Sequence, residues 1–523
     1  VTTAARDGGT NVVERFQSQA EARPEAPAIV EGRGRHRRVT TFADLDRQAA
    51  AGAGRLTAAG VGRGDRVLVL VPVSSALYAV LAAVFRVGAV AVIVDPGAGR
   101  ERLAEAVGRV RPQAFVGTPK AHLLRLLAAS VRRIPTRFVV GGWAPLAERW
   151  EGGPPVPVAD VGRDAPALLT FTSGTTGRPK AAVRTHGLLG AQHAALTDAL
   201  DLQPDDVDLA TLPVVVLATL ASGVTTVLAD ADLRRPGAVD ASRVLRQMRA
   251  EGVTRCVASP AFFERLLAHP EADALRQLRR VDTGGAPVFP DLLARLGALV
   301  GEAVGVYGST EAEPIAHVAA PSEADLRRVA AGEGLPAGPP VAAVDLRIVP
   351  DRWGEPLGPF TEAEWEARSL GPGAVGEIVV AGDHVVPGYL DGEGDAETKV
   401  DVAGRRWHRT GDAGRLDADG RLWLLGRCAA VSRREGSVVY PLQVEAALRT
   451  RLDARAAFVE IDGQRVVAVE GAVPDGLAEA VPWAAIDAVV SVDALPVDRR
   501  HNAKVDLGAL CKRLEGTIAR APA

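Results

Sequence analysis

Lysine is nearly missing from this chain. Of 61 basic residues only five are lysine: Lys120, Lys180, Lys399, Lys504 and Lys512. Lysine is ordinarily among the commonest residues. The accompanying wealth of Ala, Gly, Val and Asp is that of a GC-rich coding background, which accounts for the arginines but not for the lysines that remain. A guanidinium does not replace a compact ammonium on a flexible stem, so each surviving lysine is a candidate for function. Cysteine is scarce too. Cys256, Cys428 and Cys511 lie far apart with no CxxC pair, which argues against a disulfide framework or a structural zinc site and for a reducing, cytoplasmic compartment. The nine histidines show no metal-ligand spacing, and the formal net charge of −3 leaves no basic footprint for nucleic acid. The polar first residues carry no signal-peptide pattern, and no GxSxG elbow supports hydrolase chemistry.

Long apolar runs are also few. Val67 to Phe85 has no charged residue and approaches the length of a membrane span. Pro72, Ser74 and Ser75 interrupt it, so it reads as a strand (VLVLV), a break and a buried helix (SALYAVLAAVF). A second strand (AVAVIV) follows. That is a β-α-β unit of a covered parallel sheet, and no transmembrane segment is expected.

What is present is an ordinary globular composition, 47% apolar and 24% charged over 523 residues, too long for one core. Strand-like runs at Arg66–Val71, Ala91–Val94, Ala114–Val116, Arg137–Val140, Leu168–Phe171 and Thr225–Leu228 alternate with helical stretches, an α/β pattern. EGGPPVPVADVGRDAP, from residue 151, is either a linker or a surface loop. Residues 334 to 425 change to short strands (VDLRIV, GEIVVAG, RLWLLG) with turns such as DADG. After Arg427 come a helix candidate (Leu442–Leu452), two strands and a final helix, enough for a small α+β domain.

Residues 168–180 read LLTFTSGTTGRPK. A strand runs into Thr172, Ser173, Gly174, Thr175, Thr176 and Gly177, and the string ends at Lys180. Glycines turn backbone N–H groups toward an anion, hydroxyls add donors and the lysine adds charge, so a polyphosphate is the natural guest. A Walker A loop requires GK followed by Ser or Thr; here Pro179 precedes Lys180 and Ala181 follows it, which excludes that class. The string resembles the phosphate-binding loop of the adenylate-forming superfamily, which includes acyl-CoA synthetases, peptide-synthetase adenylation domains and luciferases. Ala181 departs from the glycine usual there.

Further segments resemble the superfamily's motifs in the same order, over residues 12 to 510. In DTGGAP, the resemblance implies that Gly284, Gly285, Ala286 and Pro287 let backbone approach adenine. In VYGSTEAEP, residues 306–314, it implies that Tyr307 stacks on the base beside Gly308 and Ser309. Thr310 would contact the α-phosphate and Glu311 would hold Mg²⁺, a hard ion that a carboxylate shares with phosphate. In RTGDAGRLDADGRLWLLGR, residues 409–427, Asp412 would accept from the ribose hydroxyls and Arg427 would contact ribose or phosphate. GEIVVAGDHVVPGYL, residues 376–390, matches a neighbouring structural motif. Lys504, in LPVDRRHNAKVD, falls where the superfamily carries the lysine that bridges carboxylate and α-phosphate, although His501, Asn502 and Ala503 precede it in place of the usual Ser-Gly.

The implied fold is a large N-terminal domain, 1–427, of two parallel-sheet αβαβα-type subdomains plus a β-rich subdomain at about 334–427. A small mobile α+β lid, 428–523, completes it. The implied activity is attack of a carboxylate on MgATP, giving an acyl-adenylate and pyrophosphate. Lys504, Glu311, Thr310 and Lys180 would be the catalytic residues, with Lys180 toward the leaving pyrophosphate. The hinge pattern normally has two acids where this chain has Ala429 and Ala430. The stretch LPVVVLATLASG, residues 212–223, is aliphatic where the family often has an aromatic or His, which suits an apolar acid, and no Asp is placed to hold an α-amino group. Together with SPAFFERLL, TGGAPVFP, GSTEAEPIAHV and RRHNAK it looks like the β-lactone synthetases of bacterial olefin pathways. These close a β-hydroxy acid with release of AMP and need no CoA. Thioester formation with CoA or a carrier protein, activation of another oxyanion such as nitrite, and a non-catalytic nucleotide-binding protein stay open, as do partner enzymes and oligomeric state.

Overall fold

The computed structural model describes residues 10–94, 99–173, 179–434, 436–497 and 505–518. The chain divides into two compact units, Val1–Asp230 with Asp383–Asp395, and Ala231–Gly382 with Ala396–Ala523.

The first unit is built on a seven-stranded sheet. Its order is Glu148–Arg149, Thr136–Val139, Ala114–Gly117, Arg66–Leu70, Val90–Ile93, Pro166–Ser173 and Pro179–Thr185. Neighbours are parallel except the last pair. Alternation across the pleat feeds two cores. Val67 and Val69 join Leu45 and Leu56 of the Phe42–Ala58 helix and Val80 and Val84 of the Ser75–Arg86 helix. Leu68 and Leu70 join Leu103 and Val107 of the Arg100–Val110 helix. A strand covered on both faces has no polar side, which is why its sequence reads as an unbroken apolar run. The membrane-length stretch resolves as expected: the strand stops before Pro72, and the Ser74 hydroxyl accepts from the Leu77 N–H to start the helix. Among the described residues no helix is long and apolar enough to cross a membrane.

Four further strands of this unit lie in the order Val207–Ala210, Thr225–Leu228, Pro27–Glu31 and Arg38–Thr41, the last antiparallel. The proline-rich segment after Glu151 is a packed surface loop and not a linker. The Arg86 Nε donates to Val156 O at 2.8 Å, the Asn11 Nδ2 donates to Ala159 O at 3.1 Å, and Val156 and Val158 pack on the core.

In the second unit, Arg255–Ala258, Arg280–Gly284 and Glu302–Ser309 are parallel neighbours, and Ala312–Val318 turns back antiparallel. The β-rich part is an antiparallel sheet in the order Leu335–Gly338, Leu422–Arg427, Arg405–Leu416, Gly376–Ala381 and Asp345–Val349. Lys399–Val402 is added beside Arg405–Leu416. The C-terminal part has the Pro441–Arg449 helix, a sheet of Ala456–Ile461, Gln464–Glu470 and Ala488–Val492, and the Leu507–Ile518 helix. The sheet has three strands where the sequence suggested two. Ala488–Val492 is a half-exposed edge strand pairing parallel to its neighbour, and an edge strand carries less of the apolar signal that marks a central one. Phe458 and Val467 pack with Val444 and Leu448 on one face of this sheet, and Val459 and Val466 with Leu510 and Leu514 on the other. The architecture matches the expected α/β class, with a β-rich antiparallel sheet and a small α+β C-terminal portion.

Candidate functional site

The strand Arg280–Gly284 is fully buried, and it holds a carboxylate between two guanidiniums. Arg255 Nη2 donates to Asp282 Oδ2 at 2.8 Å, and Arg280 Nε and Nη2 donate to Oδ1 at 3.0 and 2.9 Å. Burial pushes the Asp282 carboxyl upward and the two arginines pull it back. Arg280 also reaches Glu302 on the next strand at 2.8 Å. This clamp fixes the end of the strand, where the chain needs glycine twice. A Cβ on Gly284 would stand 2.6 Å from the Val306 carbonyl, and Gly285 has φ +80°.

The strand Glu302–Ser309 brings Tyr307 alongside. The Tyr307 hydroxyl donates to Asp412 Oδ2 at 2.8 Å, and the Arg427 Nε lies 3.2 Å from Asp412 Oδ1. Asp412 and Arg427 are cross-strand partners, so sheet register sets this pair. Arg427 Nη1 also donates to Thr410 O at 3.1 Å. Burial, and then the Asp412 charge, hold the Tyr307 phenol well above its usual value. Asp412 first of all raises that of the half-exposed Arg427, with Tyr307 and Glu311 contributing. A carboxylate has about four acceptor sites, so Asp412 keeps lone pairs for a diol while its orientation is fixed.

Gly285, Ala286, Pro287, Tyr307, Gly308 and Ser309 line one cavity of about 320 Å³, together with Asp412 and Arg427. Eight of the expected nucleotide residues are thus brought together. Gly284 packs behind them. Thr310 is exposed and Glu311 half-buried on the turn after Ser309, whose hydroxyl accepts from the Glu311 N–H at 3.3 Å. Among the described residues no group of three or more His, Cys, Asp or Glu forms a metal cage. A lone carboxylate still fits a magnesium ion that takes its other ligands from phosphate and water.

Gly174, Thr175, Thr176, Gly177 and Lys504 lie outside the described residues. Val505 and Leu507, which follow Lys504, line the same cavity. Thr172 and Ser173 belong to a hairpin strand, where Thr172 is the register partner of Lys180. Lys180 itself is buried. Its Nζ lies 5.7 Å from the centre of the Tyr389 ring, and a Cβ on Gly394, where φ is +94°, would fall 2.5 Å from that nitrogen.

Several supports went unrecognised in the sequence. Arg409, the first letter of RTGD, is fully buried against fully buried Glu377 of the GEIVVAG strand, with Nη2 to Oε2 at 2.6 Å. Arg409 also donates to the carbonyls of Arg352, Glu355 and Glu397. Glu445, which the sequence already marks with Gly436 and Pro441 as keeping the family's usual pattern after the hinge, stands in the cavity wall together with Arg449. Arg449 reaches Asp291 at 3.1 Å, and burial raises the Glu445 carboxyl to about 7 although the Phe458 N–H donates to it at 3.1 Å. No local periodicity marks such pairings.

Within the first unit, the aliphatic stretch forms the helix Pro213–Ala221. It lines a smaller cavity of about 70 Å³ through Val214, Leu217 and Ala218, opposite Phe16, Tyr78 and Phe85. His193 also lines this cavity, and burial holds it down to about 4, hence neutral.

The AMP-binding enzyme family model matches residues 16–390, and the chain belongs to this family. It is 33% identical to an olefin beta-lactone synthetase of Stenotrophomonas maltophilia over 95% of this chain and 96% of the relative. It is also 33% identical to a feruloyl-CoA synthase of an Amycolatopsis species over 82% of this chain and 80% of the relative. Among solved structures, ATP-bound MatB from Rhodopseudomonas palustris superimposes with a TM-score of 0.80 at 22% identity, covering 98% of this chain and all of that one. The protein is an ATP-dependent, AMP-forming ligase or synthetase that passes through an adenylate.

Proposed function

We propose that this enzyme activates an apolar β-hydroxy acid as its adenylate and closes it to a β-lactone. The observation that carries the reading is the aliphatic helix Pro213–Ala221 against an apolar cavity, which offers no carboxylate to an α-amino group. Similarity to the Stenotrophomonas maltophilia enzyme along nearly the full chain supports it.

In the first half-reaction two anions meet, so electrostatic stabilisation governs the rate. The Asp412 carboxylate, oriented by Tyr307 and Arg427, takes the ribose, and the Gly284–Pro287 turn admits the base. Thr310 donates to the α-phosphate, Lys180 and the 172–177 loop receive the pyrophosphate, and Lys504, carried by a lid of residues 428–523, bridges the acid and the α-phosphate. When bound at Glu311, Mg²⁺ neutralises phosphate charge. In the second half-reaction the substrate's β-hydroxyl oxygen attacks the acyl carbon. The new C–O bond closes a four-membered ring, the bond to AMP breaks with its electron pair leaving on AMP, and the hydroxyl proton passes to solvent. No thiol takes part, which accords with Ala429 and Ala430 where the family has acids.

Thioester formation is the second reading, favoured by the likeness to a feruloyl-CoA synthase. The test is product mass spectrometry with ATP and a panel of β-hydroxy acids, with and without CoA. A β-lactone and AMP formed without CoA support the proposal; turnover only with CoA overturns it in favour of the ligase.

A further inference from the structure

The five most exposed large apolar side chains among the described residues all come from one short segment of the first unit. They are Leu123 (58%), Leu126 (75%), Leu127 (53%), Trp143 (73%) and Leu146 (82%). Leu123 links the short helices Pro119–His122 and Leu124–Leu127, the second helix carries Leu126 and Leu127, and the loop after Val139 carries the other two. The loop is stitched onto the helices. Arg125 Nη1 donates to Pro145 O at 2.7 Å, and a Cβ on Gly142 would meet Pro119 at 2.8 Å. Leu146 is held outward at φ +55°, a backbone region that non-glycine residues rarely occupy.

The same segment is one-sided in charge. No acid occurs between Glu105 and Glu148, while seven arginines and lysines do. Arg109 is paired with Glu393 and Glu151 accepts from the Gly141 N–H, which leaves Lys120, Arg125, Arg132, Arg133 and Arg137 as the bases nearest the apolar side chains in the sequence. Lys120, Arg132 and Arg133 are exposed. Burial and the charge of Arg137 depress the Arg125 guanidinium, and both arginines press His122 the same way after burial. An exposed tryptophan and leucines in a segment that also exposes Lys120, Arg132 and Arg133 match the boundary between headgroups and acyl chains of an anionic bilayer. A phosphate backbone would leave the leucines in water.

We propose that Leu123–Leu127 and Trp143–Leu146 seat the protein on an anionic lipid surface as a peripheral membrane enzyme. The proposal rests on this surface alone and is independent of which acid is activated. The test is co-sedimentation of the full chain with mixed phosphatidylcholine–phosphatidylglycerol vesicles and with pure phosphatidylcholine vesicles at low salt. The protein is expected to partition onto the mixed vesicles only. Each base near such a surface contributes about fivefold, so Lys120→Gln with Arg132→Gln and Arg133→Gln should weaken binding about a hundredfold. Leu126→Ser with Trp143→Ser should weaken it at least tenfold. Adenylation of a water-soluble acid should be unchanged in both. Leu146→Gly, which relieves the positive φ, gives a variant certain to be tolerated by the backbone and should also bind less. Absence of binding to the mixed vesicles, or binding that none of these substitutions alters, overturns the proposal. So does a concentration-dependent dimer in sedimentation velocity that Trp143→Ser dissolves while vesicles capture nothing, which would make this face a contact between copies.

Discussion

The Tyr307 hydroxyl donates to Asp412 Oδ2 at 2.8 Å, while Arg427 holds the other oxygen at 3.2 Å. The carboxylate expected to take the ribose is thus aimed from two sides before any nucleotide arrives. A hydrogen bond to a charged acceptor contributes about 1.5–3 kcal/mol. Tyr307→Phe keeps the ring and removes this bond, so kcat/KM for ATP in acid-dependent pyrophosphate exchange should fall about tenfold. Asp412→Asn, which also strips Arg427 of its counter-charge, should cost about a hundredfold. Unchanged exchange in both would remove Asp412 from the nucleotide site.

The two lysines of the motifs should separate by step. Lys504→Ala should reduce pyrophosphate exchange by about 10²–10³ while calorimetric ATP affinity stays within a few-fold. Lys180→Ala should cost less, since its proposed contact is to the leaving group. Gly394→Ala offers an indirect route to the same nitrogen. Its Cβ would collide with Lys180 Nζ at 2.5 Å, and φ there is +94°, a conformation costing a side-chain-bearing residue about 1–2 kcal/mol. Exchange in Gly394→Ala should therefore drop at least as far as in Lys180→Ala, together with a lower Tm. Normal exchange in Lys504→Ala would sink the assignment of the bridging lysine.

The contrast between these residues shows what was legible in the sequence. Gly284–Pro287, Tyr307, Asp412 and Arg427 could be read because each sits in a short string whose spacing is set by one turn or one pair of strands. The structure then delivers all of them but Gly284, which packs behind, to the wall of one cavity. The strands near Arg66, Val90 and Ala114 were legible because burial on both faces leaves an unmistakable apolar run. Gly394 was not, since neither its positive φ nor its contact with Lys180, more than two hundred positions earlier, leaves a mark in the local sequence. Nor were Arg255 as a partner of Asp282 and Glu377 as the partner of Arg409, which come from neighbouring strands and carry no local signal. Lys399 is a further case. Composition marked it as a survivor, and the structure buries it with Nζ 3.2 Å from His408 Nδ1, a pairing invisible without sheet register.

Glu445 makes a prediction in pH. Burial raises its carboxyl to about 7 from an ordinary 4.5. The folded state therefore holds a proton that the unfolded chain has released. Its stabilising contribution is full below about 4.5 and is lost as pH rises through about 7. Glu445→Gln keeps an oxygen for the Phe458 N–H and cannot ionise. The variant should match the parent near pH 4.5 and exceed it at pH 8, by at most about 3 kcal/mol. Thermal unfolding of both across this range checks it, and a Tm difference that does not grow with pH would rule it out.

The buried pair Arg409–Glu377 yields the sharpest stability test, because its two halves are not equivalent. Removing one partner of a buried ion pair leaves an uncompensated charge and costs about 3–5 kcal/mol. For a unit of this size about 1 kcal/mol moves Tm by about 2–4 °C, so Arg409→Met should lower Tm by roughly 10 °C. An apolar replacement of both members is often neutral elsewhere, and here it should not be. Arg409 also donates to the carbonyls of Arg352, Glu355 and Glu397, at 2.9, 2.5 and 3.3 Å. Each buried carbonyl left without a donor costs about 1–3 kcal/mol. Arg409→Met with Glu377→Leu should therefore recover only part of the loss, whereas Glu377→Gln, which spares those three bonds, should be the mildest change of the set. A double variant as stable as the parent would show that the carbonyls find other donors and that Arg409 serves Glu377 alone.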